Sequence, residues 1–276
     1  MQKKVVVITG GTSGIGAVAA EKLAVMGARI IVIARNPVRG ETTLARLRKV
    51  TPGLDHRVYY ADLSLISEVR RVASEIAAAE PRIDVLINNA GALFGRHELT
   101  RDGLETTFAT NHMSYFVLTH ELRDRLLASA PARVVNTSSE AHRRMKLDFS
   151  DLQSTHGYSG FRAYGRSKLC NILFTRELAR RLAGTGVTAN SLHPGFVNTR
   201  FGDDSKGPLS YFFRFAKNFA ISSEKGAETI VFLASSKEVD GVTGEYFYQC
   251  RTKTPSPEAR DDSAARVLWQ RSEQLL

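Results

Sequence analysis

Short apolar runs alternate with segments of helical length along the chain, and this alternation limits the fold more than any other feature. The runs, such as VVVIT at 5–9, are continuously apolar, as expected for parallel strands covered on both faces. Strands are predicted at 3–9, 29–35, 56–61, 83–88, 132–138, 187–193 and 244–250, and helices at 14–27, 38–50, 65–79, 101–128, 159–183, 223–235 and 260–274. This order predicts a single α/β domain over residues 1–276, built on a doubly wound parallel sheet.

The composition is that of a soluble globular protein, with 43% hydrophobic and 24% charged residues among 276. The sequence contains no apolar run long enough for a spanning helix, and the first apolar segment begins at Val5, which leaves no room for a signal peptide. The two cysteines, Cys170 and Cys250, are too few for a disulfide framework. A reducing, cytoplasmic location is therefore expected.

The formal net charge of +10 raises the question of a nucleic-acid partner. The basic residues are dispersed over several predicted helices, and no nucleic-acid-binding motif is present. His142, His156 and His193 lack the spacing of metal ligands. The predicted partner is therefore a small molecule, with no nucleic acid and no metal, and the oligomeric state is left open.

Two segments interrupt the alternation and are predicted to be substrate loops. Residues 140–158 form a long polar connection, and residues 200–221 combine a turn-rich start with the aromatic stretch YFFRFAKNFAI. Long irregular segments in compact domains often cover binding sites. The aromatic residues favour a hydrophobic substrate, although a peripheral contact with a membrane surface is an alternative for the second segment.

A glycine-rich turn follows the first predicted strand, in the sequence TGGTSGIG. Gly10, Gly14 and Gly16 allow a sharp turn and a close approach of a pyrophosphate to backbone N–H groups at the helix N-terminus. Thr12, Ser13 and Ile15 complete the predicted phosphate-binding turn. A tight strand–helix turn without a ligand is the alternative, but its position after the first strand favours a nucleotide.

The residue at the end of the second predicted strand bears on which nucleotide is bound. NAD-binding sheets carry an acidic residue there, whereas this chain has Arg35, whose guanidinium can bind a 2′-phosphate. NADP is therefore favoured over NAD. Asp62, followed by Leu63, is expected either to contact the adenine or to cap the next helix. Asn89, Ala90 and Gly91 follow the fourth strand and are expected to pass close to the cofactor.

Tyr164 and Lys168 are four residues apart in a predicted helix, so both side chains share one face. Hydride transfer at a carbonyl carbon requires a proton at the oxygen, and a tyrosine can exchange that proton. A cation at ~4 Å in an effective dielectric of ~20 would favour the phenolate by about 4 kcal/mol, or roughly three pKa units. We therefore expect Lys168 to lower the pKa of Tyr164 towards neutrality.

Four motifs in this order resemble the short-chain dehydrogenase/reductase family over nearly the whole chain: Thr9–Gly16, Asn88–Gly91, Tyr164–Lys168 and Pro194–Gly195. The resemblance implies a Rossmann-type fold and a catalytic tetrad of Asn111, Ser139, Tyr164 and Lys168, with Ser138 as the alternative serine. It also implies cofactor contacts from Tyr164 and Lys168 and from Pro194, Gly195, Val197 and Thr199.

Within the family, the chain is most similar to the retinol-dehydrogenase-like branch, which includes the WW-domain oxidoreductases. The similarity lies in VVNTSSEAH, in YGRSKLCNILFTRELARRL and in the 25-residue gap between Ser139 and Tyr164. Membrane-bound relatives carry an apolar N-terminal anchor that this sequence lacks, which favours a soluble enzyme. The resemblance implies interconversion of a carbonyl and an alcohol. Reduction of a C=C bond and non-catalytic NADP sensing are the alternatives.

Overall fold

A computed structural model describes residues 1–195 and 222–276. In these two ranges, eight strands form one sheet in the order β3-β2-β1-β4-β5-β6-β7-β8. All neighbouring strands are parallel except β7 and β8. The strands are β1 Val5–Thr9, β2 Arg29–Ala34, β3 Arg57–Tyr60, β4 Val85–Asn88, β5 Ala132–Thr137, β6 Val187–Leu192, β7 Tyr246–Tyr248 and β8 Arg251–Thr252.

Helices cover both faces of the sheet, as the predicted doubly wound fold requires. They are α1 Gly14–Val25, α2 Pro37–Val50, α3 Ile66–Ala79, α4 Thr106–Phe108, α5 Ser114–Glu121, α6 Arg123–Ala128, α7 Gly160–Arg181, α8 Ser223–Ser235 and α9 Asp262–Gln274. Three 3₁₀ turns at Glu140–His142, Lys237–Val239 and Glu258–Arg260 complete the described elements.

The hydrophobic core has one half on each face of the sheet. On one face, α1, α2 and α8 contribute buried residues such as Leu23, Leu47 and Ile230. On the other, α3, α5, α7 and α9 contribute a larger set that includes Phe116 and Phe174. This two-sided burial explains why a central strand such as β1 is continuously apolar.

The predicted long helix over 101–128 begins later than expected and is less regular. Helix α4 begins only at Thr106, a π-helix at Ala109–Met113 continues it into α5, and Leu122 separates α5 from α6. The last sheet edge also differs from expectation, because the predicted strand at 244–250 contains only β7, which forms a hairpin with β8 beyond the predicted range. Gln249 and Cys250 form its turn with φ of 49° and 61°.

No helix among residues 1–195 and 222–276 has both the length and the apolar character needed to cross a membrane. The predicted aromatic substrate loop at 200–221 lies outside the described residues.

Candidate active site

The predicted site residues lie along one edge of the sheet, where the parallel strands end. The turn after β1 carries the three glycines, Arg35 follows β2, and Asp62 and Leu63 follow β3. Asn89–Gly91 follow β4, Ser139 lies just beyond β5, and Pro194–Gly195 follow β6. Since β3, β2, β1, β4, β5 and β6 are neighbours in this order, the sheet brings these segments together. Val197 and Thr199 lie outside the described residues.

The glycine turn is packed so tightly that side chains would not fit. Gly10 has a φ of 68°, and a Cβ atom there would lie 2.9 Å from the Cα of Ala90. A Cβ at Gly16 would lie 2.3 Å from the carbonyl oxygen of Gly10. Ser13 occupies the N-cap position of α1, but its side chain makes no capping hydrogen bond. The N-terminus of α1 therefore presents backbone N–H groups that suit a pyrophosphate, so the residues present fit a dinucleotide cofactor.

Thr9, which motif matching did not assign a role, ties this turn to the segment after β4. Its Oγ1 accepts hydrogen bonds from the backbone N–H groups of Asn89 at 2.9 Å and Ala90 at 3.0 Å. The side-chain amide of Asn89 donates in turn to the backbone carbonyl oxygens of Thr9 and Gly10. The two cofactor-facing segments are thereby fixed relative to each other.

Beyond β2, Arg35 is exposed and makes no hydrogen bond or ion pair with any part of the chain that the structure describes. The nearest following carboxylate, Glu41, accepts a hydrogen bond of 2.6 Å from the Tyr60 hydroxyl. Asp62 does not cap α3, whose N-cap is Leu65. Instead, its Oδ1 accepts from the backbone N–H and the hydroxyl of Ser64.

Tyr164 and Lys168 share one face of α7, as their spacing predicts. The Nζ atom of Lys168 lies 5.6 Å from the centroid of the Tyr164 ring and donates to the carbonyl oxygen of Thr137 at 3.1 Å. It also lies 5.7 Å from the ring of Tyr115, whose hydroxyl donates to the carbonyl oxygen of Ala90. Tyr115 therefore lines the site next to Lys168, although no sequence motif indicated it.

Burial shifts the pKa values of both residues. It raises the pKa of Tyr164 to about 12, and a side-chain hydrogen bond with Ser139 only partly offsets this. Burial also lowers the pKa of Lys168 to about 7. The expected decrease in the Tyr164 pKa is therefore wrong for this state of the protein, because desolvation disfavours the charged form of each residue.

The contacts of the two serines differ and favour Ser139 over Ser138. The Ser138 hydroxyl is buried and donates to the carbonyl oxygen of Lys168 at 2.7 Å. The Ser139 hydroxyl accepts from the Ala141 N–H at 3.2 Å and has the hydrogen bond with Tyr164. Ser139 is thus the serine whose hydroxyl lies beside the phenol.

Asn111 lies in the π-helix and is held by the segment after β4. Its side chain accepts from the Ala92 N–H and donates to the Ala92 carbonyl oxygen, both at 2.8 Å. A Cβ at Gly91 would lie 3.1 Å from Lys168 Nζ and 3.2 Å from Asn111 Oδ1. Because Gly91 has no side chain, Lys168 Nζ and Asn111 Oδ1 can both lie close to its backbone.

Buried amides connect the sheet to α7 below these groups. Asn88 donates to the Asn136 side chain across β4 and β5 at 2.9 Å. Asn171 donates to the carbonyl oxygen of Thr137, which also accepts from Lys168. This network fixes α7 against the strand end that precedes Ser139. Among the residues described, no cluster of three His, Cys, Asp or Glu side chains could hold a metal ion.

Comparison with known proteins identifies the family of this site. The family model for short chain dehydrogenases matches residues 4–208. Retinol dehydrogenase 14 from Mus musculus is 41% identical over 100% of this chain and 86% of its own length. Human WW domain-containing oxidoreductase is also 41% identical, over 99% of this chain and 68% of its own length.

Solved structures give the same result. A protein from Mycobacterium paratuberculosis is 36% identical, with a TM-score of 0.79 over 99% of this chain and 93% of its own. The RhlG/NADP active-site complex from Pseudomonas aeruginosa is 27% identical, with a TM-score of 0.70 over 96% and 97% of the two chains. The predicted fold and family are thus confirmed: the chain belongs to the short-chain dehydrogenase/reductase family of enzymes, which act on alcohols and carbonyl compounds with a nicotinamide cofactor.

Proposed function

We propose that this enzyme uses NADP(H) to interconvert a hydrophobic carbonyl compound and its alcohol, with Tyr164 as the proton donor and acceptor. The observation that supports this most is the position of Tyr164. It lies beside Ser139 and Lys168, on the same sheet edge as the glycine turn. A proton donor and a dinucleotide-binding turn on one edge are what carbonyl reduction requires.

In this proposal, each residue acts on the proton or on the substrate oxygen. The bound cofactor supplies or accepts the hydride. Tyr164 gives its phenolic proton to the carbonyl oxygen, while the Ser139 hydroxyl donates a hydrogen bond to that oxygen. Lys168 holds the nicotinamide ribose, and Asn111 supports proton supply to Lys168. Because the pKa of Tyr164 is about 12, the phenol carries a proton at neutral pH that it can give to the substrate oxygen.

The preference for NADP is proposed from the end of β2. The guanidinium of Arg35 is exposed there and makes no hydrogen bond or ion pair with the described residues. No acidic residue takes its place, so a 2′-phosphate would not be repelled. The similar structure of RhlG is that of a complex with NADP, which is consistent with this preference.

The hydrophobic substrate is proposed from two observations. Several relatives are named retinol dehydrogenases, after an alcohol with a long apolar body. In addition, residues 211–216 read YFFRFA within a segment of the kind that covers substrates in compact α/β domains.

The test is cofactor oxidation, followed by absorbance with NADPH and NADH in parallel against aldehydes, ketones and enones that differ in size and polarity. We expect NADPH oxidation with apolar aldehydes or ketones. In Tyr164→Phe, turnover should fall by on the order of 100-fold or more, because general acid–base catalysis contributes about that much. NADPH binding, measured by fluorescence, should change little.

The matched control is Tyr59→Phe, which removes a hydroxyl from β3 without touching the proposed proton donor. Equal turnover in Tyr164→Phe and the wild type would contradict the role of Tyr164. Reduction of enones at the C=C bond alone would favour the alternative reaction. NADPH binding without turnover of any compound would favour a sensor.

A further inference from the structure

The turn at Pro194–Gly195 is held by a chain of contacts that begins at a carboxylate next to Ser139. Glu140 Oε2 lies 3.1 Å from His193 Nε2 and 3.0 Å from Lys253 Nζ. On the other side of the imidazole ring, His193 Nδ1 accepts a hydrogen bond of 3.2 Å from the backbone N–H of Gly195. The imidazole therefore connects Glu140 directly to the turn after β6.

These contacts define one tautomer of His193. Because Nδ1 accepts the Gly195 N–H, the ring proton must be on Nε2, where it points at the Glu140 carboxylate. Burial lowers the pKa of His193 to about 4, so the ring is neutral at pH 7. Partial burial acts to raise the Glu140 pKa, but hydrogen bonds from Lys253 and Arg143 lower it to about 2, so the acceptor is a carboxylate.

The ring has little freedom to turn. It stacks on the Tyr248 ring at a centroid distance of 4.1 Å and an interplanar angle of 7°, and Tyr246 lies 5.8 Å away. The backbone on both sides is also paired, because His193 N donates to the Phe247 carbonyl oxygen and Ser138 N donates to that of Leu192. His193 is only 5% exposed, which limits the access of water to its ring.

We infer that Glu140 and His193 are positioning residues, which act as a dyad to set the Pro194–Gly195 turn for the cofactor. Glu140 fixes the Nε2–H tautomer of His193, and His193 Nδ1 then holds the Gly195 N–H. The dyad also couples this turn to Ser139, since Glu140 follows Ser139 in the chain. The inference rests on the proposed cofactor site and adds two residues that motif matching did not assign to it.

Two substitutions at His193 separate its two contacts. The amide of asparagine reaches the position of Nδ1, so His193→Asn keeps an acceptor for Gly195 and loses Glu140. The amide of glutamine reaches the position of Nε2, so His193→Gln keeps a donor to Glu140 and leaves the Gly195 N–H without its acceptor. The readouts are the dissociation constant of NADPH, from fluorescence, and the melting temperature.

We expect NADPH binding within about threefold of the wild type in His193→Asn. In His193→Gln we expect binding to weaken about tenfold, which corresponds to the loss of one hydrogen bond. A residue that only fills space would give the opposite order, because glutamine is closer to histidine in volume. Equal weakening in both variants, or normal binding in His193→Gln, would overturn the inference.

A second pair of variants tests Glu140 and serves if a His193 variant fails to fold. Glu140→Ala removes the acceptor that fixes the tautomer, and we expect NADPH binding to weaken several-fold. Glu140→Gln keeps an oxygen acceptor for His193, so its NADPH binding should stay close to that of the wild type. Both variants lose the negative charge that pairs with Lys253 and Arg143. Weakening of the same size in both variants would mean that charge, and not the tautomer, is the cause, and would contradict the dyad.

The binding assay also separates this inference from the proposed reaction. If the wild type binds NADPH and reduces no carbonyl compound, the proposed function fails while the variants still test the dyad. If the wild type binds neither NADPH nor NADH, the dyad has no cofactor to act on and the inference falls as well.

Discussion

At the scale of single residues, Arg35 gives the sharpest test of cofactor preference. In Arg35→Asp, the ratio of kcat/KM for NADPH to that for NADH should fall roughly 10- to 100-fold, since charge-assisted hydrogen bonds contribute about 1.5–3 kcal/mol. Steady-state kinetics with both cofactors measures this ratio. Arg266→Asp is the control, because it makes the same charge change on the exposed face of α9. An equal fall in the control, or an unchanged ratio in Arg35→Asp, would contradict a 2′-phosphate contact.

Sequence patterns place single residues well but do not give their protonation. The spacing of Tyr164 and Lys168 predicts their common face, which the structure shows. The Coulomb argument for a lowered Tyr164 pKa fails because it omits desolvation, which depends on segments far away in the chain, such as Tyr115 against Lys168. The contact between Glu140 and His193 cannot be predicted from local sequence for the same reason, because 53 positions separate the two residues.

At the scale of elements, the position of Asn111 depends on how its helix begins. The Glu105 carboxylate caps α4 by accepting from the N–H groups of Thr107 at 2.7 Å and Phe108 at 2.8 Å. The Tyr158 hydroxyl donates to the same carboxylate and thereby attaches the connection at 140–158. In Glu105→Ala we expect a loss of about 1–2 kcal/mol of stability. We also expect kcat to fall about tenfold, because Asn111 shifts.

A matched cap elsewhere separates stability from positioning. Asp261 caps α9 by accepting from Ser263 N and Ala264 N at 2.8 and 2.9 Å. Asp261→Ala should lower the melting temperature by a similar amount and leave kcat nearly unchanged. If both variants lose kcat in proportion to their stability, Glu105 has no specific effect on the site.

Element boundaries show where local sequence is sufficient and where it is not. Strands β1 to β6 lie within the predicted ranges. The clearest case is β1, whose unbroken apolar run is buried at every position and is typical of a strand covered on both faces. The π-helix at Ala109–Met113 has no such local pattern. It coincides with the Ala92 backbone contacts of Asn111, which are made 19 residues away in sequence. Only the tertiary structure, therefore, could show that the predicted helix contains a π-helical segment at Asn111.

At the scale of the whole molecule, several histidines fold in the neutral form. Burial lowers the pKa of His112 to about 3 and that of His193 to about 4, and burial also lowers the pKa values of His56 and His142. His112 lies among Phe108, Phe116 and Phe174, where an imidazolium would be poorly solvated. Folding therefore requires these rings to stay unprotonated, whereas the unfolded chain protonates them near pH 6.5.

The free energy of unfolding should therefore decrease as the pH falls below about 6.5. In this range the unfolded state binds more protons than the folded state, and each such histidine contributes a slope of about 1.4 kcal/mol per pH unit until its folded pKa is reached. Burial acts to raise the pKa of Asp84, but hydrogen bonds from Lys4, Val5 and Arg82 have the larger effect, so the pKa is lowered overall. Asp84 therefore adds to the loss of stability only below about pH 4, where the unfolded chain binds a proton at this residue first. Urea unfolding at several pH values between about 7 and 4 measures the slope.

Substitution of one buried ring makes this prediction specific. His112→Asn removes one of the titrating groups, so the slope between about pH 6 and 4 should decrease by about 1.4 kcal/mol per pH unit. The absolute stability should also decrease, because the substitution leaves space among the phenylalanine rings and removes the contact with Ser272. His120→Gln, on the exposed face of α5, should leave the slope unchanged. A wild-type slope in His112→Asn would show that carboxylates, and not the buried histidines, govern acid unfolding of this protein.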